Sequence, residues 1–405
     1  MARILIASEL GKGYEYASRC GAVIDGLLNN GHHVTFTSRK LEPIEHCFID
    51  ESVEWHLAPK IRTKGHRNKP PCSYAELLLE SGLSDSQALG IAIRKWHQLI
   101  KKTKPDVVVL DHSPTLALAL MSYGAKTIPY FHIGSSFTLP PLVEPLPKYL
   151  QHDDVHPDRL HYAERTLLKN INDALAATGT FRLIDIRDIF TDYDVHTTWE
   201  DLDPFSVITK REYIGPIYHR SAGSIMQWKD SDDKKIFCHI DAKNEATSTL
   251  LTALASLNAD VICSINVDDR YLGVLRALFK PSQIKLTNHP VSMANLLPRM
   301  DLFVGNGGPS LTSHIAMHGI PTIVLPSSTE HQLLCSVAGG ESFQTMDSKL
   351  GIHSMRAQIA TAARLGREKN PMDALGTKFN NYPVGASVNA VIRIAEQLHK
   401  EYATS

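Results

Sequence analysis

What this 405-residue chain lacks narrows its chemistry before any motif is considered. It has no excess charge of either sign: 42 lysines and arginines stand against 43 acidic residues, a net of −1. That balance argues against broad electrostatic binding to nucleic acid or to an anionic membrane. Cysteine is scarce. The six (Cys20, Cys47, Cys72, Cys238, Cys263, Cys335) lie far apart and mostly in apolar runs, so they read as reduced, buried thiols of a cytoplasmic protein rather than a disulfide framework. Twenty histidines are present, yet neither HExxH nor CxxC-type spacing occurs, and no metal site is expected. No run approaches the roughly 18 apolar residues that span a bilayer. The opening "MARILIASEL" moves straight into a strand without a basic n-region, so it does not read as a signal peptide.

With 43 % hydrophobic and 21 % charged residues, the composition is that of a globular protein, and the length favours two domains. "RILIAS" (3–8) is a short apolar run suited to a strand buried on both faces. Apolar residues at helical spacing over 15–30 and "NNGHHVTFTS" (29–38) complete a βαβ unit. The alternation continues with a helix over 88–102, a strand over 105–112, a helix over 115–125 and a strand over 126–134. Residues 60–75 read as a long loop. Five prolines deny regular structure to 137–160, and a helix is expected from 161 to 176. The stretch 203–235 is the linker candidate. A second alternating series runs from the strand "IFCHI" (236–240) through "DLFVG" (301–305) to "PTIVLP" (321–326) and helices beyond.

Within that series, "FVGNGGPSLTSHIAMHGIP" (303–321) sets a glycine pair between a strand and a helix. Gly307 and Gly308 permit a tight turn, and Pro309 fits the first helical position, where its missing N–H costs nothing. The amides near Ser310, Leu311 and Thr312, with two hydroxyls and the helix dipole, suit a diphosphate. An ordinary strand-to-helix turn would use the same residues. The next strand ends in "LPSSTEHQ" (325–332), which brings Glu330, His331 and Gln332 to the same sheet edge, where they could hold a sugar's hydroxyls.

These features resemble family 1-type, UDP-glycosyltransferase-like bacterial glycosyltransferases of the GT-B fold. That family carries HGGxGTxxEAxxxGxPxxxxPxxxxQ where this chain reads "NGGPSLTSHIAMHGIPTIVLPSSTEHQ" (306–332). "GHHVTF" (31–36), "SSFTLPPLVEPLP" (135–147), "YIGP" (213–216) and "NHPVSMANLLPRMDLFVGNGG" (288–308) resemble further stretches of it, so the likeness covers nearly the whole chain. The resemblance implies an α/β protein of two Rossmann-like parallel-sheet domains facing across a cleft. Residues 1–215 would bind the acceptor and 216–384 the nucleotide sugar, with the helix of 385–405 packing back on the first domain. It implies a UDP- or dTDP-sugar donor, no cofactor, and a small-molecule or lipid-like acceptor. His289 and Val291 would flank the base. Asn306 stands where the family has a histidine, Ser310 and Leu311 replace Gly-Thr, and His314 replaces a glutamate that holds the ribose. "CHID" (238–241) replaces a Ser/Thr-Gly-rich start of the second domain.

Transfer with inversion requires a base for the acceptor hydroxyl and relief for the departing diphosphate. The resemblance implies a basic histidine after the first strand. This chain has "ELGKGYEYASR" (9–19) there, with Tyr16 at the histidine's place and Glu15 beside it. A tyrosine is a poor base at neutral pH. The orienting aspartate is matched by Asp111 in "VVVLDHSP", followed by His112; Asp111 would equally serve as a helix cap, and Tyr16 as packing. Three readings stay open: an inverting, metal-independent glycosyltransferase using Asp111, Glu15 or His112; a catalytically silent GT-B protein that binds a nucleotide or partner and assists another enzyme; and a sugar-nucleotide epimerase or hydrolase.

Overall fold

The computed structural model describes residues 1–11, 13–40, 52–61, 70–124, 127–151, 154–179, 181–219, 223–339, 343–365, 382–383 and 385–403. Cys47 and half of the 60–75 segment (62–69) lie outside these residues. By their contacts they form two units, Met1–Ile217 with Gly385–Ser405, and Tyr218–Val384.

In the first unit the apolar run becomes β1 (Arg3–Ser8), buried from its second residue onward. It is followed by α1 (Tyr14–Asn29), β2 (His33–Ser38), β3 (Glu54–Leu57), α2 (Tyr74–Leu78), α3 (Ser86–Thr103), β4 (Val107–Asp111), α4 (Pro114–Met121), β5 (Tyr130–Gly134), α5 (Pro157–Ala176) and β6 (Val195–His196). Ile4 of β1 pairs with Val34 on one side and Val107 on the other, both in parallel. The sheet order is β3-β2-β1-β4-β5-β6. All five residues of β4 are buried, as a central parallel strand covered by helices requires. α3 starts on an Asp85 cap that accepts from the Ala88 amide at 3.1 Å and stops at Lys104 in the left-handed region.

The second unit repeats the plan: β7 (Lys234–Asp241), α6 (Thr247–Ala255), β8 (Ala259–Asn266), α7 (Asp269–Leu278), β9 (Lys285–Thr287), α8 (Met293–Leu296), β10 (Leu302–Gly305), α9 (Pro309–Ala316), β11 (Thr322–Val324), α10 (Thr329–Cys335), β12 (Phe343–Thr345) and α11 (Ile352–Leu365). Its parallel sheet runs β12-β11-β10-β7-β8-β9. Ile236, Cys238, Ile240, Val261, Cys263 and Ile265 alternate into a core with Leu250, Leu254, Met355 and Ile359 from the covering helices.

The last helix, α12 (Ala386–Ala403), belongs to the first unit. It packs against α1 where Gly26 leaves room: a Cβ there would lie 2.5 Å from Val388 Cγ1 and 3.0 Å from Ile392 Cδ1. His32 Nε2 and Glu396 Oε1, 3.3 Å apart, fix the same contact.

Three expectations need correction. Residues 137–160 are not wholly irregular, because Pro157 occupies the first turn of α5, where proline is tolerated. The 60–75 loop ends at Ser73, which caps α2. The 203–217 part of the supposed linker is no loose tether: Phe205, Ile214 and Ile217 are buried. Asp203, also buried, accepts from Tyr213 Oη at 2.7 Å and from Arg211 Nη1 at 3.2 Å. No helix among the described residues is long and apolar enough to cross a membrane.

Candidate functional site

Both sheets share one topology, reading 3-2-1-4-5-6 when each is counted from its own first strand. The direction of winding therefore reverses between β1 and β4 and again between β7 and β10. Ligands of open parallel sheets bind outside the carboxyl ends of the strands at that reversal. Asn306 to Thr312 in the second unit, and Glu15, Tyr16, Asp111 and His112 in the first, lie at these reversals, whereas His289 and Val291 follow the edge strand β9 and Glu330 to Gln332 follow β11.

In the second unit β10 delivers Asn306, Gly307 and Gly308. The Asn306 amide donates to the His239 carbonyl at 3.1 Å, and its side-chain oxygen accepts from the Asp241 amide at 3.2 Å. The turn is thus tied to the end of β7. Gly307 has φ +91°, and a Cβ there would sit 2.5 Å from Val324 Cγ1, so this position requires glycine. Gly308, at φ −61° and ψ 128°, has a backbone any residue adopts. α9 then begins at Pro309 with no acidic residue in its first turn. Ser310, Leu311 and Thr312 are buried, and Thr312 Oγ1 has no hydrogen-bond partner among the described residues.

Other candidates divide. His331, half-buried on α10, places Nδ1 3.0 Å from Ser327 Oγ; Glu330 beside it is half-buried and Gln332 exposed. His314 is buried with its ring stacked on Tyr218 at 5.6 Å, so it acts as packing at that place. His289 is exposed. Val291 is 2 % exposed, in a bridge to Ser224. Among the described residues no group of three or more histidine, cysteine or acidic side chains is placed to hold a metal.

In the first unit Asp111 ends β4 fully buried. Its carboxylate accepts from Arg19 Nη2 at 2.7 Å and from Arg19 Nε at 3.1 Å, with Cys20 Sγ at 3.4 Å. Arg19, itself 3 % exposed, has a raised pKa: burial opposes its charge, but the Asp111 carboxylate outweighs that cost. The guanidinium lies 4.7 Å from the Tyr16 ring centroid, which makes Tyr16 a cation–π partner, while Glu15 is half-buried in the first turn of α1. His112 is buried at φ +52°, an uncommon backbone for a residue with a side chain, and its carbonyl accepts from the Leu10 amide at 3.0 Å. An Asp111 aimed outward to take an acceptor's proton does not fit this geometry, because a bidentate cation occupies both oxygens.

No protein-family model matches the chain, and no curated protein matches it in sequence. Solved structures do. The glycosyltransferase of kitacinnamycin superposes with a TM-score of 0.65 over 97 % of this chain and 99 % of that one, at 18 % identity. Glycosyltransferase VinC in complex with dTDP gives 0.63 over 98 % and 100 %, at 12 % identity. Spinosyn rhamnosyltransferase SpnG complexed with thymidine diphosphate gives 0.64 over 96 % and 100 %, also at 12 %. The fold is GT-B.

Within this GT-B chain the sequence reading passes over two groups. His239, at the carboxyl edge of β7, entered only as part of a departure from a glycine-rich pattern. Glu9 immediately follows β1 and is 1 % exposed. Its oxygens accept from the Thr115 amide at 3.1 Å and hydroxyl at 2.5 Å at the start of α4, and its own amide donates to Ser113 Oγ at 2.8 Å. A carboxylate at the end of a strand with an apolar centre, Ile4 to Ala7, is the one signal that could have singled it out.

Burial pushes the Glu9 carboxyl from 4.5 up to about 7, against the Thr115 hydrogen bonds and the charge of Arg39. Between those values the unfolded chain ionises while the folded chain keeps its proton. Stability therefore falls as pH rises from 4.5 through 7, by up to roughly 3 kcal/mol from this group. A glutamine at this position would resemble the protonated acid. Urea unfolding of Glu9→Gln at pH 5.5 and pH 8 should show a shallower loss toward pH 8 than wild type; identical slopes would remove Glu9 as the cause.

Proposed function

We propose that the protein is a glycosyltransferase that moves a sugar from a nucleoside diphosphate, dTDP or UDP, to an acceptor hydroxyl with inversion and without a metal. The observation that carries this reading is the Gly307 turn at the reversal point of the second unit: a glycine at positive φ, an acid-free helix start and a buried Thr312 hydroxyl unpartnered among the described residues. Helix-start amides and the dipole there favour an anion. The dTDP complexes of the two structural relatives support the same choice of donor.

Chemically, the acceptor oxygen attacks the sugar's anomeric carbon, the bond to the diphosphate breaks with its electron pair, and a base takes the acceptor's proton. His112 is the best candidate for that base. Its strained backbone at the carboxyl edge of β4 is the kind of outlier held in place at functional sites. Asp111, ion-paired to Arg19, and Tyr16, stacked on that cation, hold the α1–β4 contact. The same ion pair favours a second reading, nucleotide binding without turnover, because it takes the carboxylate out of the chemistry.

Gly308→Val tests the donor site. The backbone at 308 suits any residue, so the change adds no dihedral strain, while a side chain beside the helix amides should abolish dTDP binding by calorimetry at a temperature where the variant is folded. Wild-type affinity in that variant would overturn the assignment. Slow release of free sugar from a dTDP-sugar, lost in His112→Ala, separates transfer chemistry from mere binding.

A further inference from the structure

Two histidines sit beside the glycine turn. The β7–β10 register sets His239 beside Gly305, and its carbonyl holds the Asn306 amide. The His239 side chain has no hydrogen-bond partner among the described residues. From α10, His331 approaches the other side of the turn: its Cβ lies 3.6 Å and its carbonyl oxygen 3.5 Å from where a Gly307 side chain would start. The Asp241 carboxylate bears on both rings, and the His239 charge bears on His331. A diphosphate at this turn would meet a helix start, hydroxyls and two imidazoles.

We propose that His239 and His331 form a two-imidazole cradle that takes up protons as a nucleoside diphosphate seats on the Gly307 turn. This rests on the donor-site reading above and goes further in assigning His239 and a proton to it. Burial holds both rings near 4, from an ordinary 6.5; the His239 charge lowers His331 further, Asp241 offsets part of both falls, and both rings are neutral at pH 7. Phosphate oxygens within a few ångströms favour the charged ring and raise its pKa by about 1–3 units. The nucleotide then binds together with protons drawn from solution. The same imidazolium charge opposes the negative charge that builds on the β-phosphate oxygen when the sugar's C–O bond breaks.

Calorimetry of dTDP binding in buffers of different ionisation enthalpy, at pH 6, measures the proton count. The wild type should take up protons and bind about tenfold more tightly at pH 5.5 than at pH 8 relative to a His239→Asn, His331→Asn double variant. A terminal phosphate ionises near 6 and releases protons on entering a cationic site, so comparison with the variant isolates the rings. Each single variant should lose part of the uptake while keeping its melting temperature. Equal proton counts and equal pH slopes in wild type and double variant, with dTDP still bound, overturn the cradle and leave the donor site standing. No dTDP binding at any pH overturns both.

Discussion

Asp111→Asn should unfold the first unit at a markedly lower temperature, with a loss of about 3–5 kcal/mol, the usual cost of removing one partner from a buried ion pair. The carboxylate is 0 % and Arg19 3 % exposed, and the guanidinium grips both oxygens. Asparagine keeps the size but offers one acceptor, and its amide group points donors at a cation. For a unit of this size that corresponds to a fall on the order of 10 °C in Tm. Arg19→Met combined with Asp111→Leu should recover much of the loss, since a buried pair replaced whole by apolar side chains leaves no stranded charge. Calorimetric scanning of the three variants decides it. An unchanged Tm for Asp111→Asn with a 10²-fold loss of turnover would instead return Asp111 to the role of general base.

Gly307→Val should fail twice, in folding and in binding. At φ +91° a β-branched residue is strained, by about 1–3 kcal/mol for the backbone alone. Its Cβ would also fall 2.5 Å from Val324 Cγ1 on the neighbouring strand β11. The turn must shift, carrying the helix-start amides out of register with a diphosphate, so dTDP affinity should drop below detection even at temperatures where the variant remains folded. The contrast with Gly308→Val is the point of the experiment: the adjacent glycine should lose the ligand without the backbone strain. If Gly307→Val bound dTDP normally, the turn would be ordinary chain reversal.

The strands and their succession along the chain were largely legible, though not their order within each sheet, because a parallel sheet covered on both faces demands short, mostly apolar runs. "RILIAS" became β1 over those same residues, and "DVICSI" became the middle of β8. Short edge strands escaped notice. β6 has two residues and β3 alternates weakly, so neither gives a periodic signal. The glycine turn was legible as a turn; that the positive φ sits on Gly307 and not on Gly308 was not, since dihedrals follow from how β10 meets α9. Hardest to read were pairings across the chain. Arg19 and Asp111 are 92 positions apart, and Glu9 reaches Thr115 across 106. No local pattern marks such partners. Asp111 therefore read as a base, an orienting carboxylate or a helix cap and not as half of an ion pair, and Glu9 did not register at all.

The return of α12 to the first unit has a consequence for how the protein is made. Its Glu396 meets His32 across 364 positions, and Val388 and Ile392 fill the notch at Gly26. A growing chain therefore exposes that notch throughout synthesis of the entire second unit. Domains usually complete themselves from the N-terminus as they emerge. Here the order is inverted: the second unit, continuous in sequence, can finish first, and the first waits for the helix that closes it. A ribosome stalled before residue 386 would present an apolar groove on α1 to whatever chaperone is near.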